Sequence, residues 1–429
     1  MKHCQVSRTS PSQRPMTAPS HRLTATLLAL AFAPAVLAAP EAAELPPEPV
    51  VQRLLDSRPA VQRAAAQLRA EEAVARGLVA GPQEWTLRGD VAQRRVEPAP
   101  AARDFEWRAG VERPIRSGDK ARADVAIGER GVEAAKWMFG DARHETARAL
   151  MAGWFDWLRA EATLSLRQQA DTALRQITDA VRQREALGDA ARLERIQAES
   201  ALAQSQSLTV QAEQTRDASR RSLQQLYPGL PLTLPELPEP APLDGATDWL
   251  ASILENSHEL GMSRAEADKA LALADRSRLD RRPDPTVGLA VAQERGGDER
   301  LLVLTLSMPI PGEARREQGN ANQARAEAAR AQFEDVRLRV QAEALNSVER
   351  VQTAVRSWQA AAAAARQANE VAELTAQAQQ LGERALADVL LAQRLASETR
   401  LQAQLTQIDA LEARDRVWLD AHTIWKDED

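Results

Sequence analysis

The run Gly296-Gly297-Asp298-Glu299 has the residue types to hold a metal ion on its acids and admit a phosphate against its glycines, as enzymes that make cyclic dinucleotides do. It lies between two segments of alternating polarity and lacks the surrounding α/β pattern of such a domain, so it predicts a hairpin turn. The remaining ligand types are scattered. His144, His258 and His422 include no pair at i,i+4 spacing, and Met138, Met151, Met262 and Met308 do not cluster. The spacing therefore predicts no metal site and no cofactor. Nucleophile elbow, phosphate loop and zinc-protease signature are all absent. The sequence reads as that of a protein that is not an enzyme, in which the residues of interest line, gate or dock.

Composition points the same way. The 429 residues include 55 Lys or Arg and 61 Asp or Glu, for a formal net charge of -6, and 3% of residues are aromatic. Mild acidity argues against nucleic acid as a partner. An apolar share made largely of Ala, Leu and Val suits long packed helices better than one large compact core.

From Leu23 to Pro40 the chain is uncharged; Arg8, Arg14 and Arg22 precede this stretch and Val36-Leu37-Ala38 lies within it. This three-part pattern predicts a secretory signal peptide over residues 1–38, cut after Ala38. Its apolar core is interrupted by Pro34 and is shorter than the ~20 residues a bilayer needs. Cleavage removes Lys2, Arg8, Arg14 and Arg22 with no acid, taking the net charge from -6 to -10, and removes Cys4, the one cysteine. The mature chain then has no thiol for a disulfide or for a lipid at the cut. Beyond the signal, the longest uncharged apolar stretch is Leu301 to Gly312, far short of a spanning helix, so membrane residence requires strands.

The chain repeats itself. Val91-Ala92-Gln93-Arg94-Arg95 matches Val291-Ala292-Gln293-Glu294-Arg295, Pro114-Ile115 matches Pro309-Ile310, and Gly188, Glu194, Ile196 and Ala198 match Gly382, Asp388, Leu390 and Ala392. The offset shrinks between the first match and the second, as a longer loop in the first half would produce. Six prolines between Tyr227 and Pro242 make a stiff linker. The expected organisation is a first repeat over 39–227, a linker over 228–243 and a second repeat over 244–429.

Within each repeat a strand pair precedes a helical tract. Strands are expected at about 84–95 and 105–114, then at about 285–294 and 301–309, because apolar side chains alternate there with small or charged ones. Helices are expected at about 116–227 and 313–425, tracts that contain no proline. Apolar residues step by threes and fours through Val348, Val351, Val355 and Trp358, leaving a narrow stripe that must pack against neighbouring helices. Gly188 and Gly382 are the expected turning points. A helix from Glu313 to Gly382 would span roughly 100 Å, longer than a compact domain.

A soluble sheet packed on helices would show the same alternation. The signal peptide and the strand lengths favour an outer-membrane wall instead. Four strands cannot close a barrel, and an open edge is not tolerated in lipid, so the protein must oligomerise; three copies supply twelve strands. Arg88, Asp90, Arg94, Glu106, Arg108 and Glu112 would then face the lumen, and these six charges sum to zero.

The duplicated plan, the Pro-rich linker and the run Leu381-Gly382-Glu383-Arg384-Ala385-Leu386-Ala387-Asp388-Val389-Leu390-Leu391-Ala392-Gln393 resemble the TolC-type outer membrane factors over essentially the whole mature chain. Arg281-Arg282-Pro283-Asp284-Pro285-Thr286-Val287-Gly288 and Leu304-Thr305-Leu306-Ser307-Met308-Pro309-Ile310-Pro311 are most similar to the cobalt-zinc-cadmium efflux branch of that family. The resemblance implies a mainly α fold with a small β part. It implies a homotrimer whose strands form one barrel in the outer membrane and whose helices cross the periplasm. The partners it implies are a periplasmic adaptor, an inner-membrane pump of the resistance-nodulation-division type and outer-membrane lipid; the implied cargo is divalent heavy-metal cations. A conduit for organic drugs, or a non-channel periplasmic helical adaptor, are the alternatives.

By the same resemblance, Gly188 and Gly382 mark the periplasmic tips where the adaptor docks. Asp388 takes the motif's acidic position, with Glu194 its counterpart in the first half. Arg384 and Arg192 are near enough in sequence to be their partners. A threefold set of Asp388 in a narrow mouth would repel unless paired and would attract cations.

Overall fold

The computed structural model describes residues 42–96 and 102–426. The expected signal peptide over 1–38, with Cys4, lies outside the described residues. Each half of the chain carries the same order of elements. The first has helices α1 (Glu48–Asp56) and α2 (Pro59–Ala80), strands β1 (Thr86–Val96) and β2 (Ala102–Pro114), and helices α3 (Gly118–Ala186) and α4 (Arg192–Leu226). The second has α5 (Trp249–Glu255), α6 (His258–Leu279), β3 (Thr286–Glu294), β4 (Glu299–Ser307), α7 (Glu313–Gln380) and α8 (Leu386–Asp420). Paired lengths agree closely: α2 and α6 have 22 residues each, α3 and α7 have 69 and 68, and α4 and α8 have 35 each.

Local chemistry sets these boundaries. Pro59 opens α2, where its missing N–H costs nothing, and Gly81 closes it with φ 80°. Ser257 caps α6 by accepting the Leu260 N–H, and Asp248 caps α5 by accepting from Ala251. The turn at Arg295–Gly297 joins β3 to β4, with Gly296 and Gly297 both at positive φ, so the Gly-Gly-Asp-Glu run is a hairpin turn. The linker from Tyr227 to Thr247 forms no helix or strand, and the Gln407 side chain holds it by donating to the carbonyls of Leu237 and Pro238.

The long helices pack in pairs, α3 with α4 and α7 with α8, while α2 and α6 both lie along α3 and α6 also meets α7. Toward the helix ends the contacts are made by small residues, as where Ala368 and Ala372 meet Ala392 and Ala396. Large side chains gather in one belt. Trp154, Phe155, Trp157 and Met151 of α3 pack there with Ile408 and Leu411 of α8, Leu55 of α1, and Tyr227 and Leu230 of the linker. A second cluster, Ile253, Val351, Val355 and Val417 with Trp249 and Trp358 against them, packs between α5, α7 and α8, and narrow seams of small residues hold the rest of the long helices.

A buried ionic cluster sits beside this belt. Arg414 bonds Glu44 and the Asp415 carboxylate, and its guanidinium lies 4.2 Å from the Trp418 ring centre. Burial, partly offset by Arg414, pushes the Asp415 carboxyl up to about 7. The folded state therefore holds this proton more tightly than the unfolded chain does. The resulting stability is fully present below the ordinary value of 3.8 and is lost as pH rises through about 7. The unfolding free energy of the solubilised protein is expected to fall across that window. Asp415→Asn should flatten the fall, as measured by denaturant titration at stepped pH.

Candidate functional site

All four strands join in one antiparallel sheet in the order β1-β2-β3-β4. Successive side chains on a strand point to opposite faces, so the register decides what each face shows. Leu87, Val111, Leu289 and Leu304 line up across all four strands. Ala109, Val291 and Leu302 form the next row on that face, and Val287 with Leu306 another. Exposure of the large apolar side chains on this face runs from 37% at Trp107 to 80% at Leu87. An apolar surface this continuous is more than a soluble monomer ordinarily presents.

The opposite face carries the charges. Arg88, Asp90, Arg94, Glu106, Arg108 and Glu112 all fall on it, as their register partners require. They are linked: Arg94 bonds Glu106 at 2.6 Å and Glu294 at 3.3 Å, and Arg88 bonds Glu112 at 3.1 Å. Arg94 thereby ties the first hairpin to the second. The expected neutrality does not survive the register, because Asp104 lies opposite Arg94, and Glu294 and Glu299 lie opposite each other, on the same face. Three arginines, Arg88, Arg94 and Arg108, thus share the face with six acids, and its balance is acidic. These extra acids were missed because Asp104 and Glu299 lie outside the strand limits read from the alternation, and Glu294 stands where the first half has Arg94.

At the other end of the long helices are two turns of the same construction. After α3, the Gly188 N–H bonds the Glu185 carbonyl and the Asp189 N–H bonds that of Arg184. After α7, the Gly382 N–H bonds Gln379 and the Glu383 N–H bonds Ala378. Both are Schellman closures, with Gly188 at φ 81° and Gly382 at φ 78°. A Cβ at either glycine would meet nothing within 4 Å, so backbone conformation alone demands glycine there. An L side chain in this conformation costs about 1–2 kcal/mol.

Glu194 and Asp388 occupy equivalent places, three residues after the caps Ala191 and Ala385, where the helix dipole favours an acid. Arg384 approaches Asp388 at 3.9 Å, and both are exposed. Among the described residues Arg192 makes no ion pair. The pairs at the first tip use other residues: Arg195 bonds Glu185 and Glu199, each at 2.7 Å, and Arg184 bonds Asp189 at 3.1 Å. Hydrogen bonds from Arg182 and Arg195 hold the Glu199 carboxyl below its ordinary value. Val181, Ala198 and Leu386 bury together just inside the two turns, so the tips pack on each other.

Sequence spacing gave no reason to join His144, His258 and His422. The fold brings them together from α3, the start of α6 and the turn after α8. Among the described residues no helix is long and apolar enough to cross a membrane.

No family model matches the chain. Among curated proteins, the cobalt-zinc-cadmium resistance protein CzcC of Cupriavidus metallidurans is 29% identical over 264 residues, covering 57% of this chain. The match spans 62% of that protein's length. Among solved structures, the outer membrane protein VceC of Vibrio cholerae aligns with a TM-score of 0.71 at 16% identity, over 87% of this chain and 95% of its own. The outer-membrane channel OprN aligns at 0.76 with 14% identity, over 88% and 91%. The transmembrane channel CusC aligns at 0.68 with 15% identity, over 89% and 92%. The fold is that of these outer-membrane channels, mainly helical with a small antiparallel sheet. The resemblance to outer membrane factors of the CzcC-like branch, read from the residues, agrees with both comparisons.

Proposed function

We propose that this chain is the outer-membrane conduit of a tripartite efflux system and that its cargo is divalent heavy-metal cations. The observation that carries this reading is the four-stranded sheet with one continuous apolar face, one charged face and two unpaired edges, β1 and β4. In lipid an unpaired edge leaves a row of peptide groups without partners. Three copies joined edge to edge make a twelve-stranded barrel, with the apolar face toward lipid and the charged face toward the lumen. The helices of the three copies continue the wall into the periplasm. Gly188 and Gly382 turn the chain at its far end, where a periplasmic adaptor docks and links the conduit to an inner-membrane pump.

Metal cations are the favoured cargo because the curated relative is named for cobalt, zinc and cadmium resistance. The acidic balance of the charged face suits cations as well. The test is growth of a strain lacking this gene on zinc, cobalt and cadmium in parallel with dyes and detergents. Sensitivity to the metals alone supports the reading. Sensitivity to the organic compounds alone would make the chain a general drug conduit.

The gate in this reading is formed by Asp388 from three copies, with Glu194 as its counterpart in the first half and Arg384 as partial counter-charge. Replacing Asp388 by Ala is expected to raise conductance through the tip and weaken block by divalent cations, as recorded from the purified trimer in planar bilayers. Wild-type conductance together with wild-type block would remove Asp388 from the gate.

A further inference from the structure

The three histidines converge far from both the sheet and the tips. His144 lies on α3, His258 is the first residue of α6, and His422 is the second residue after α8. Ring centres are 4.8 Å apart for His258 and His422, 5.3 Å for His144 and His422, and 5.8 Å for His144 and His258. One ring nitrogen from each lies within 4.8 Å of the others, and all three residues are half-buried. We propose that these imidazoles form a binding site for one divalent transition-metal ion of the zinc and cobalt class.

The chemistry of the donors fits. Three neutral imidazoles suit zinc, cobalt, nickel and copper, whereas magnesium and calcium prefer oxygen. With metal–nitrogen bonds of about 2.0–2.1 Å in tetrahedral array, the three nitrogens would sit roughly 3.3 Å apart. The present spacing of up to 4.8 Å is wider than this, so the rings would move together on binding. Asp420 Oδ1 stands 3.2 Å from His144 Nε2, the contact by which a carboxylate orients a ligand imidazole. Asp420 is itself held by Arg148 at 2.9 Å and Arg416 at 3.2 Å. A cavity of about 90 Å³ opens beside two of the three rings, lined by His144, His258, Asp141, Glu259 and Asp420 among others, and would admit water to an ion held there.

Two further features of the backbone bring these rings together. Gly140 interrupts the interior of α3, where glycine is a poor helix former. A Cβ there would come within 2.5 Å of both Cε1 and Nδ1 of His258, so the missing side chain is what lets that ring lie against α3 beside His144. His422 has φ 54° at the position of a Schellman closure where glycine is usual, with its N–H on the Leu419 carbonyl and the Thr423 N–H on that of Trp418. The chain thus accepts glycine where a side chain would serve the helix, and histidine where glycine would serve the turn. Both exchanges bring an imidazole to the same point.

An ion at this point would clamp α3 of the first half to the start of α6 and the end of α8 in the second. This goes beyond the conduit reading and does not depend on it, because binding is read on the purified protein whatever is exported. The test uses the full solubilised chain, stripped with chelator and titrated with cobalt(II). One equivalent per chain, with the visible absorption of a four-coordinate nitrogen site that zinc abolishes, is expected. His258→Gln and His144→Gln should each lose that absorption. Where a histidine variant fails to fold, Gly140→Ala, which keeps all three imidazoles but displaces one, should lose it too. Absence of saturable cobalt binding, or binding unchanged in the folded variants, would overturn the site.

Discussion

Leu289→Arg is expected to abolish assembly of the protein in the outer membrane, whereas Thr305→Arg should leave it intact. Both residues lie on the same hairpin, on adjacent rungs of the ladder, but the register puts Leu289 in the apolar row with Leu87, Val111 and Leu304, and Thr305 on the opposite face beside Gly288. Arginine facing lipid near the bilayer midplane costs about 2–4 kcal/mol per chain. In the proposed barrel of three copies that cost rises to roughly 6–12 kcal/mol, comparable with the whole stability of a typical domain. On the charged face the same side chain remains in water, near Glu112 and other acids. The measurement is membrane fractionation with heat-modifiable migration of the assembled protein. Equal behaviour of the two variants would mean that the faces do not divide lipid from lumen.

The sheet was the most legible part of this protein because period-two alternation survives translation into structure without help from distant contacts. Leu302, Leu304 and Leu306 had to share a face whatever they packed against. The long helices were legible from the confinement of proline and from Gly188 and Gly382. Less was visible where burial uses small side chains. The buried residues of α6 are Ser263, Ala265, Ala274 and Ser277, which carry no apolar rhythm for a periodicity argument to detect. Its start signal, Ser257 before His258, was nevertheless present in the sequence, as was Pro59 for α2.

At the first tip, unlike the second, sequence proximity proved a poor guide to pairing. Arg192 stands two residues from Glu194, yet the ion pairs there are Arg195 with Glu185 and Glu199, because Arg195 shares a helix face with Glu199 and that face meets Glu185 on α3. The histidines illustrate the same limit at longer range. Three ligands from three elements have no mutual spacing to read, and only packing brings them together. Even so, the local oddities that accompany them, a glycine inside α3 and a histidine at a helix stop, were written in the chain.

Arg414→Leu is expected to destabilise the protein by about 3–5 kcal/mol, because it strands buried carboxylates instead of merely deleting a bond. Glu44 and Asp415 are almost fully buried and share the Arg414 guanidinium. Glu44 belongs to the segment before α1, whose backbone also accepts from the indoles of Trp154 and Trp425. Losing Arg414 should therefore free that segment from the core belt as well as destabilise α8. The Asp415 carboxyl already titrates near 7, so part of the loss can be relieved by protonation. The defect should consequently be larger at pH 8 than at pH 5. Adding Asp415→Asn to Arg414→Leu removes one stranded charge and should recover part of the stability. Replacing Glu44, Arg414 and Asp415 together by apolar residues should recover most of it, since an ion cluster of this kind holds its own members in place more than it stabilises the fold. Denaturant unfolding of the four proteins at both pH values decides the matter. A loss that is independent of pH and not relieved by Asp415→Asn would mean that Arg414 acts through its packing on Trp418 and not through the carboxylates.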